Sequence, residues 1–308
     1  MKSVRIILWS IVALLLIGLL VMGLTGNLDS IIPKLSFSGC SIGNSFSYPN
    51  SELYTVGNGS AQPSAVSDIE IHWVSGDVNI RRYTGSTITF SESSAHRLEE
   101  KDTMRYYINN GKLIIQFCAP RRFDLFGNMR GKSLTVYIPD YIVDSLFVDA
   151  VSASVNVENL SINAMKADTV SGSVNISAVT SDRMEFDLVS GKLTVDQSSA
   201  GKLTADEVSG SIKLTGSFGQ VFCDSVSGSV TASPGSEVNE IKIDTVSGKA
   251  TVRLPEDKGF IARYDSVSGS FSCDFEVIAS KDRVTHGDGA ASIRIDTVSG
   301  SIHIEKDM

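Results

Sequence analysis

The sequence predicts an all-β fold, a β-solenoid of about nine coils with a period near 19 residues. The tripeptide Val-Ser-Gly recurs, and from Ala153, which ends a degenerate copy, the intervals are 19, 19, 19, 18, 20, 21 and 31 residues. Valine, isoleucine, threonine and serine dominate the repeats, as in β-strands. A period near 20 residues is typical of coils that bury their apolar faces against neighbouring coils. The eight intact copies end at Gly76, Gly172, Gly191, Gly210, Gly228, Gly248, Gly269 and Gly300.

Alignment of the coils on this glycine indicates which positions face inward. Apolar residues stand seven and five positions before it, as Met184 and Phe186 do, and two and four positions after it, as Leu193 and Val195 do. Polar residues alternate with them, so each coil is predicted to hold two strands. The valine of Val-Ser-Gly is also predicted to be buried. The alternation changes phase there, which predicts a bend that glycine permits.

An aspartate stands four residues before the last residue of each copy, which we call the corner residue, starting with the degenerate copy that ends at Ala153. In-register stacking would place like charges about one coil apart, at a cost on the order of 1 kcal/mol per pair. We predict a structural corner column, in which each carboxylate accepts backbone N–H groups as in an Asx turn. Calcium binding is the alternative, but the Gly-Gly-x-Gly-x-Asp repeat is missing, so we predict neither metal nor cofactor. The column comprises Asp149, Asp168, Asp187, Asp206, Asp224, Asp244, Asp265 and Asp296.

The N-terminal residues 1–25 are predicted to form a transmembrane signal anchor. Ile6 to Leu24 is an apolar run of 19 residues, which as a helix would span roughly 28 Å. Lys2 and Arg5 precede the run, so the N-terminus is predicted to be cytoplasmic and the repeats extracytoplasmic. This gives a single-pass protein of the cell membrane. A cleaved signal peptide is the alternative.

The remaining chain divides into a linker and a solenoid domain. Residues 26–65 are rich in Ser, Gly and Asn and form the predicted linker. Residues 66–308 form the predicted solenoid, with irregular strands over 66–148 and regular repeats over 149–308. Within the irregular part, Asn109-Asn110-Gly111 between two strand-like runs predicts a β-hairpin.

Charge and motif content argue against several functions. The net charge is −8, and no lysine- and arginine-rich stripe exists to neutralise phosphates, so nucleic acid is not a predicted partner. The four histidines lack metal-binding spacing, and the corner serine is repeated in every coil, whereas a catalytic nucleophile is a single serine with a base. We therefore predict that the protein is not an enzyme. The repeat register places Cys223 and Cys273 two coils apart, too far for a disulfide, so both are predicted to be small core residues.

One segment departs from the repeat and is the candidate binding site. It is a basic and aromatic loop between predicted strands, suited to anionic lipid headgroups or cell-wall polymer. An ordinary solvated loop whose aromatic residues cover the end of the solenoid is the alternative. The candidate binding residues are Arg121, Arg122, Phe123, Phe126, Arg130 and Lys132.

The run Leu134-Thr-Val-Tyr-Ile-Pro-Asp140 is followed by repeated Asp-Thr-Val-Ser-Gly-Ser-Val coils, and Ile293 to Ile304 closes the series. Over roughly residues 66 to 305 this pattern resembles the bacterial "putative adhesin" family, membrane-associated β-repeat domains of unknown function. The resemblance implies an extracytoplasmic β-solenoid and supplies no catalytic residues. The predicted function is a non-enzymatic adhesion or envelope-binding module, with envelope proteins, wall polymer or lipid as partners. A stress-sensing accessory protein and a structural spacer are the alternatives.

Overall fold

The computed structural model of the chain describes residues 36–37, 40–41, 45–122 and 131–307, and side chains are described from residue 47 onward except in 121–130. Strands account for most of this part of the chain, with three short 3₁₀ helices at Ser51–Leu53, Pro63–Ala65 and Glu100–Asp102. The first eleven strands are β1 (Ser36–Phe37), β2 (Cys40–Ser41), β3 (Ser45–Phe46), β4 (Thr55–Val56), β5 (Gly59–Ala61), β6 (Asp68–Arg82), β7 (Ile88–Ser93), β8 (Arg105–Asn109), β9 (Lys112–Gln116), β10 (Arg121–Arg122) and β11 (Lys132–Ile138). The remaining strands are β12 (Val143–Glu158), β13 (Ser161–Ser177), β14 (Thr180–Ser233), β15 (Glu240–Leu254), β16 (Phe260–Cys273), β17 (Ile278–Ser280), β18 (Arg283–His286) and β19 (Ala291–Lys306).

The long strands stack in parallel as the coils of a solenoid. Equivalent corner residues pair across neighbours, for example Gly172 with Gly191 and Gly228 with Gly248. Strand β14 passes through three corners without interruption. Because β6, β12, β13, β15, β16 and β19 contribute one corner each, the described residues contain nine corners. The predicted all-β, solenoid-like fold and its coil number are confirmed.

The coils do not stack in the order of the sequence at the C-terminal end. Strand β19 lies between β15 and β16, so that Gly300 pairs with both Gly248 and Gly269. The long last interval holds the β17–β18 hairpin, which turns the chain back before this insertion. Cys223 and Cys273 are therefore three coils apart, and the two-coil separation expected from the sequence is wrong. Cys223 is fully buried, as predicted, and Cys273 is half-buried.

The inward position at the corner is not the valine. The residue directly before that valine is buried in eight of the nine coils, whereas Val170 and Val246 are only half-buried and Val267 is 75% exposed. The strand alternation thus continues to the third residue before glycine, and the bend follows it. Sequence patterning missed this column because most of its members are polar. They are Trp73, Ala150, Thr169, Leu188, Glu207, Ser225, Thr245 and Thr297.

The glycines permit close approach of adjacent corners. At Gly248 the φ angle is +144°, and a Cβ atom would lie 1.7 Å from the carbonyl oxygen of Gly228. Only glycine combines this conformation with this contact. Gly76, Gly172, Gly191 and Gly210 have the same features.

The N-terminal part of the fold caps the first coil. Strands β9 and β11 pair in parallel with successive halves of β6, and antiparallel strands lie beyond them. The predicted hairpin is confirmed, with Asn110 and Gly111 at positive φ between β8 and β9. We refer to residues 47–67, 83–122 and 131–142 as the cap.

Folded structure begins earlier than the predicted start near residue 66. Strands β4 and β5 pair with β8 and β7, and the Tyr48 hydroxyl donates to the Cys118 carbonyl oxygen at 3.0 Å. Part of the predicted linker thereby completes the cap. The predicted anchor, residues 1–25, lies outside the described residues, and among the described residues no helix is long and apolar enough to cross a bilayer.

Candidate functional site

The aspartate column is stabilised by basic side chains rather than by backbone N–H groups. Lys166 stands two residues before Asp168, on the same strand face, and its ammonium lies 3.3 Å from Asp168 and 2.6 Å from Asp187 on the next coil. Lys242 and Arg294 occupy the equivalent position and contact Asp244 and Asp296 at 2.5 and 2.6 Å. The predicted Asx-type contacts are thus replaced by ion pairs. Their sequence signal, a basic residue two positions upstream, was available.

A histidine opens the column at the first coil. His72 pairs in register with Asp149, and its ring contacts Asp149 Oδ2 at 3.3 Å and Glu70 Oε1 at 2.8 Å. Burial opposes a charge on this ring, but the two carboxylates outweigh it and raise the pKa of His72. The hydrogen bond from His72 lowers the pKa of Glu70 to about 2. The first aspartate of the column therefore shares a buried histidine with Glu70.

The middle of the array lacks such compensation. Among the described residues, no basic side chain forms an ion pair with Asp206 or Asp224. Burial raises the pKa of Asp206 to about 6, and the Asp224 carboxylate raises it further. The middle coils therefore concentrate carboxyl groups without a directly paired cation among the described residues, and the more distant charges of Lys166 and Lys242 act on them.

Glu207 adds a buried carboxyl group to these coils. It occupies the inward corner column and is 3% exposed, and among the described residues no side chain donates to its carboxylate, although the backbone of Ser211 lies close enough to lower its pKa slightly. Its Oε1 atom lies against the corner, 2.4 Å from where a Cβ of Gly210 would stand. Burial raises the pKa of Glu207 to about 7. Sequence reasoning missed Glu207, although it is the one charged residue in its column.

Glu207→Gln is expected to stabilise the protein at pH 8 and to leave it nearly unchanged at pH 4.5. The folded-state pKa is above the ordinary value of 4.5, so the contribution of Glu207 to stability is full below pH 4.5 and is lost as the pH rises through about 7. The rise in the pKa of Glu207 from 4.5 to about 7 on folding corresponds to a loss of folding free energy of about 3 kcal/mol at most. Urea denaturation of both proteins at the two pH values measures it.

Glu237→Gln is the matched control, because Glu237 is exposed in a loop between coils. We expect no pH-dependent gain for that variant. Parallel pH profiles for the wild-type protein and Glu207→Gln would contradict a protonated, buried Glu207.

The structure separates the members of the predicted basic loop. Arg121 and Arg122 form β10, which pairs antiparallel with β3. Phe123, Phe126 and Arg130 lie outside the described residues. Lys132 is a correction: its side chain is 1% exposed and its ammonium contacts the Glu92 carboxylate, so it does not belong to an exposed binding surface.

An open, polar cleft of about 480 Å³ lies beside the end of this segment. Its lining is rich in hydroxyl groups and glycine, and Ser133 donates a hydrogen bond of 3.1 Å to Asp77 Oδ2. Such a lining suits a hydrated, hydroxyl-bearing ligand better than an apolar one. The cleft combines three separate segments, which is why no sequence motif marks it. Its lining residues are Gly76, Asp77, Ser93, Ser94, Ala95, Gly131, Lys132 and Ser133.

In the part of the chain that the structure describes, no group of three or more His, Cys, Asp or Glu side chains is placed to hold a metal ion. His286 contacts the carbonyl oxygen of Glu276 at 2.8 Å, and His303 contacts the Ser272 hydroxyl at 2.7 Å. Both histidines thus make local contacts in the last coils.

The model of the family described as Toastrack DUF4097 matches residues 66–305. The chain belongs to the Toastrack family. The match covers the cap from residue 66 onward and all nine corners, so the family domain coincides with the solenoid. The family resemblance inferred from the sequence is confirmed. No curated protein matches this Toastrack chain.

Several solved structures are similar to this Toastrack chain. A "putative adhesin" of Parabacteroides merdae is 12% identical, covers 82% of this chain and 97% of its own, and gives a TM-score of 0.47. A "putative adhesin" of Bacteroides fragilis is 10% identical, with coverage of 81% and 97% and a TM-score of 0.46. A "putative cell adhesion protein" of Clostridium sporogenes is 13% identical, with coverage of 82% and 100% and a TM-score of 0.26.

Proposed function

We propose that this Toastrack protein is a non-enzymatic, membrane-tethered module that binds cell-envelope components outside the cytoplasm. The polar cleft beside Gly131 is the observation that carries the proposal. It lies where the cap meets the first coil, and its lining residue Gly131 directly follows Arg130 in the sequence. The basic residues Arg121, Arg122 and Arg130 together with a hydroxyl-lined cleft suit an anionic, sugar-containing polymer of the cell wall.

The regular coils support the same assignment because many of their outward polar side chains already bind one another. Several of their outward charges are engaged with one another along the stack, as Lys166 is with Asp168 and Asp187. Asn156 and Asn175 likewise bond to each other across coils, with an N···O distance of 2.9 Å. The array therefore acts as a rigid support, and the cap carries the specific contacts. The apolar run Ile6 to Leu24 supplies the membrane tether in this proposal.

The test is binding of the full-length protein in detergent to purified anionic wall polymer. Arg121→Ser/Arg122→Ser/Arg130→Ser is expected to reduce affinity at least tenfold, and Asp77→Asn to change it through the cleft. Lys192→Ser, an exposed lysine on a middle coil, is the matched control and should bind normally. Unchanged affinity of the triple variant for wall polymer and for anionic lipid vesicles would refute the proposal.

A further inference from the structure

The two ends of the solenoid are finished differently. At the N-terminal end, β6 is covered along both halves by β9 and β11, and further antiparallel strands follow. At the other end, β18 covers the outer side of β16 only along Phe260–Arg263. Among the described strands, none pairs with the outer side of Asp265–Cys273. One end is thus capped and half of the other is an open strand edge.

The open edge lacks the features that normally protect such an edge. Natural edge strands are blocked by charges, proline or a covering segment. Asp265 at the start of this edge is its one charged residue, and Ser266 to Cys273 contains neither a charged residue nor proline, although the whole chain has a net charge of −8. Val267 is 75% exposed, while the equivalent valines of the other repeat coils are half-buried. An unprotected edge of this kind is suited to pairing with another strand.

The core columns also end without cover at this coil. Tyr264 and Phe271 occupy columns whose members in the middle coils, such as Phe186 and Leu193, are fully buried. Here both rings are only half-buried, and they stack on each other with centroids 3.8 Å apart. One more coil on top of β16 would complete their burial.

We propose that this edge pairs with the same edge of a second copy of the chain, giving a closed two-fold dimer. The segment 123–130 is a poor candidate for the role, because it begins and ends in the cap, eight coil steps or roughly 38 Å from β16, and eight residues span at most about 30 Å. A second copy offers the same edge, which is uncharged from Ser266 to Cys273. The capped opposite end limits the assembly to two copies rather than a filament.

The corner geometry permits this pairing. A two-fold axis through the corner places the strand before the corner of one copy against the strand after the corner of the other. Inward residues stand an odd number of positions before the glycine and an even number of positions after it. Residues directly opposite each other in an antiparallel pair point to the same face, so both apolar faces stay inward in two registers centred close to the corner. These registers centre the pair on either side of Ser268, and Tyr264 of one copy meets Phe271 or Cys273 of the second copy. Ser268 then lies next to Ser268 of the second copy in both registers.

Disulfide trapping of the full-length protein tests the proposal. In a Cys40→Ser/Cys273→Ser background, Ser268→Cys is expected to give mostly covalent dimer after mild oxidation, seen on a non-reducing gel. Ser209→Cys has the same corner position on a middle coil, where both neighbours are already paired, and should give only background dimer. Equal dimer yields for the two variants would overturn the proposal.

Mass measurement of an edge variant gives an independent answer. Val267→Lys adds a charge to the open edge at an exposed position, so we expect its melting temperature to be retained and its dimer to dissociate at least tenfold more readily. A dimer that persists in this variant would place the contact elsewhere and overturn the proposal. Both measurements use the purified protein alone, so their outcome is independent of wall-polymer binding.

Discussion

Gly248→Ala is expected to abolish the folded state or to destabilise it by about 4 kcal/mol or more. The added Cβ would lie 1.7 Å from the carbonyl oxygen of Gly228, and the φ angle of +144° is itself unfavourable for alanine. The Cβ and the carbonyl oxygen are both fixed by the backbone, so neither can move away by a side-chain rotation. The coils on both sides also hold the corner in place. A loss of this size is a large part of the stability of a typical domain. The yield of soluble protein and the urea midpoint measure the effect.

Ser247→Ala is the matched control, one residue away in the same corner. Ser247 is exposed, so a change within about 0.5 kcal/mol is expected. Ala153, the natural exception, has a backbone outside the positive-φ region, which is why alanine is tolerated there. A Gly248→Ala protein with a wild-type urea midpoint would show that adjacent corners separate easily, contrary to the close contact described above.

The repeat made most of the solenoid predictable from sequence. Each coil repeats the same local pattern, and in-register stacking is the one arrangement that buries Met184, Phe186 and their equivalents together. The predicted hairpin was equally local, because Asn110 and Gly111 both favour positive φ. Features encoded within about twenty residues were thus accessible without a structure.

The order of the last two coils was not predictable in this way. β16 and β19 carry the same corner motif, and each fits the register of either neighbour. Their order depends on the β17–β18 hairpin, which turns the chain back so that β19 enters between β15 and β16. A sequence pattern defines which residues face inward, but it does not distinguish two equivalent positions in a stack.

The candidate site was predicted less well, since its contacts join distant residues. The aspartate column was found from its spacing, but its partners were assigned to the backbone instead of to Lys166, Lys242 and Arg294. Glu207 was overlooked because its inward column appeared polar. Lys132 resembled part of a basic loop because its partner Glu92 is forty residues away.

Lys132→Met is expected to destabilise the cap by about 3–5 kcal/mol. The Lys132 side chain is 1% exposed, and its ammonium contacts the buried Glu92 carboxylate. The ammonium also donates hydrogen bonds to the carbonyl oxygens of Asp102 and Phe117 at 2.6 and 2.5 Å. It also lies 5.1 Å from the centre of the Trp73 ring. Removing the cation leaves Glu92, whose side chain is 6% exposed, as a buried charge without its counterion. Chemical denaturation measures the loss.

A double-mutant cycle separates this effect from simple loss of packing. Lys132→Met/Glu92→Gln removes both charges, so we expect it to cost less than the sum of the two single variants. Lys192→Met, at an exposed lysine one residue after a corner glycine, should be close to neutral. Additive losses in the cycle would contradict a coupled ion pair. Because Lys132 joins β11 to the segments around Asp102 and Phe117, a coupled loss would show that this buried pair holds the segments of the cap together.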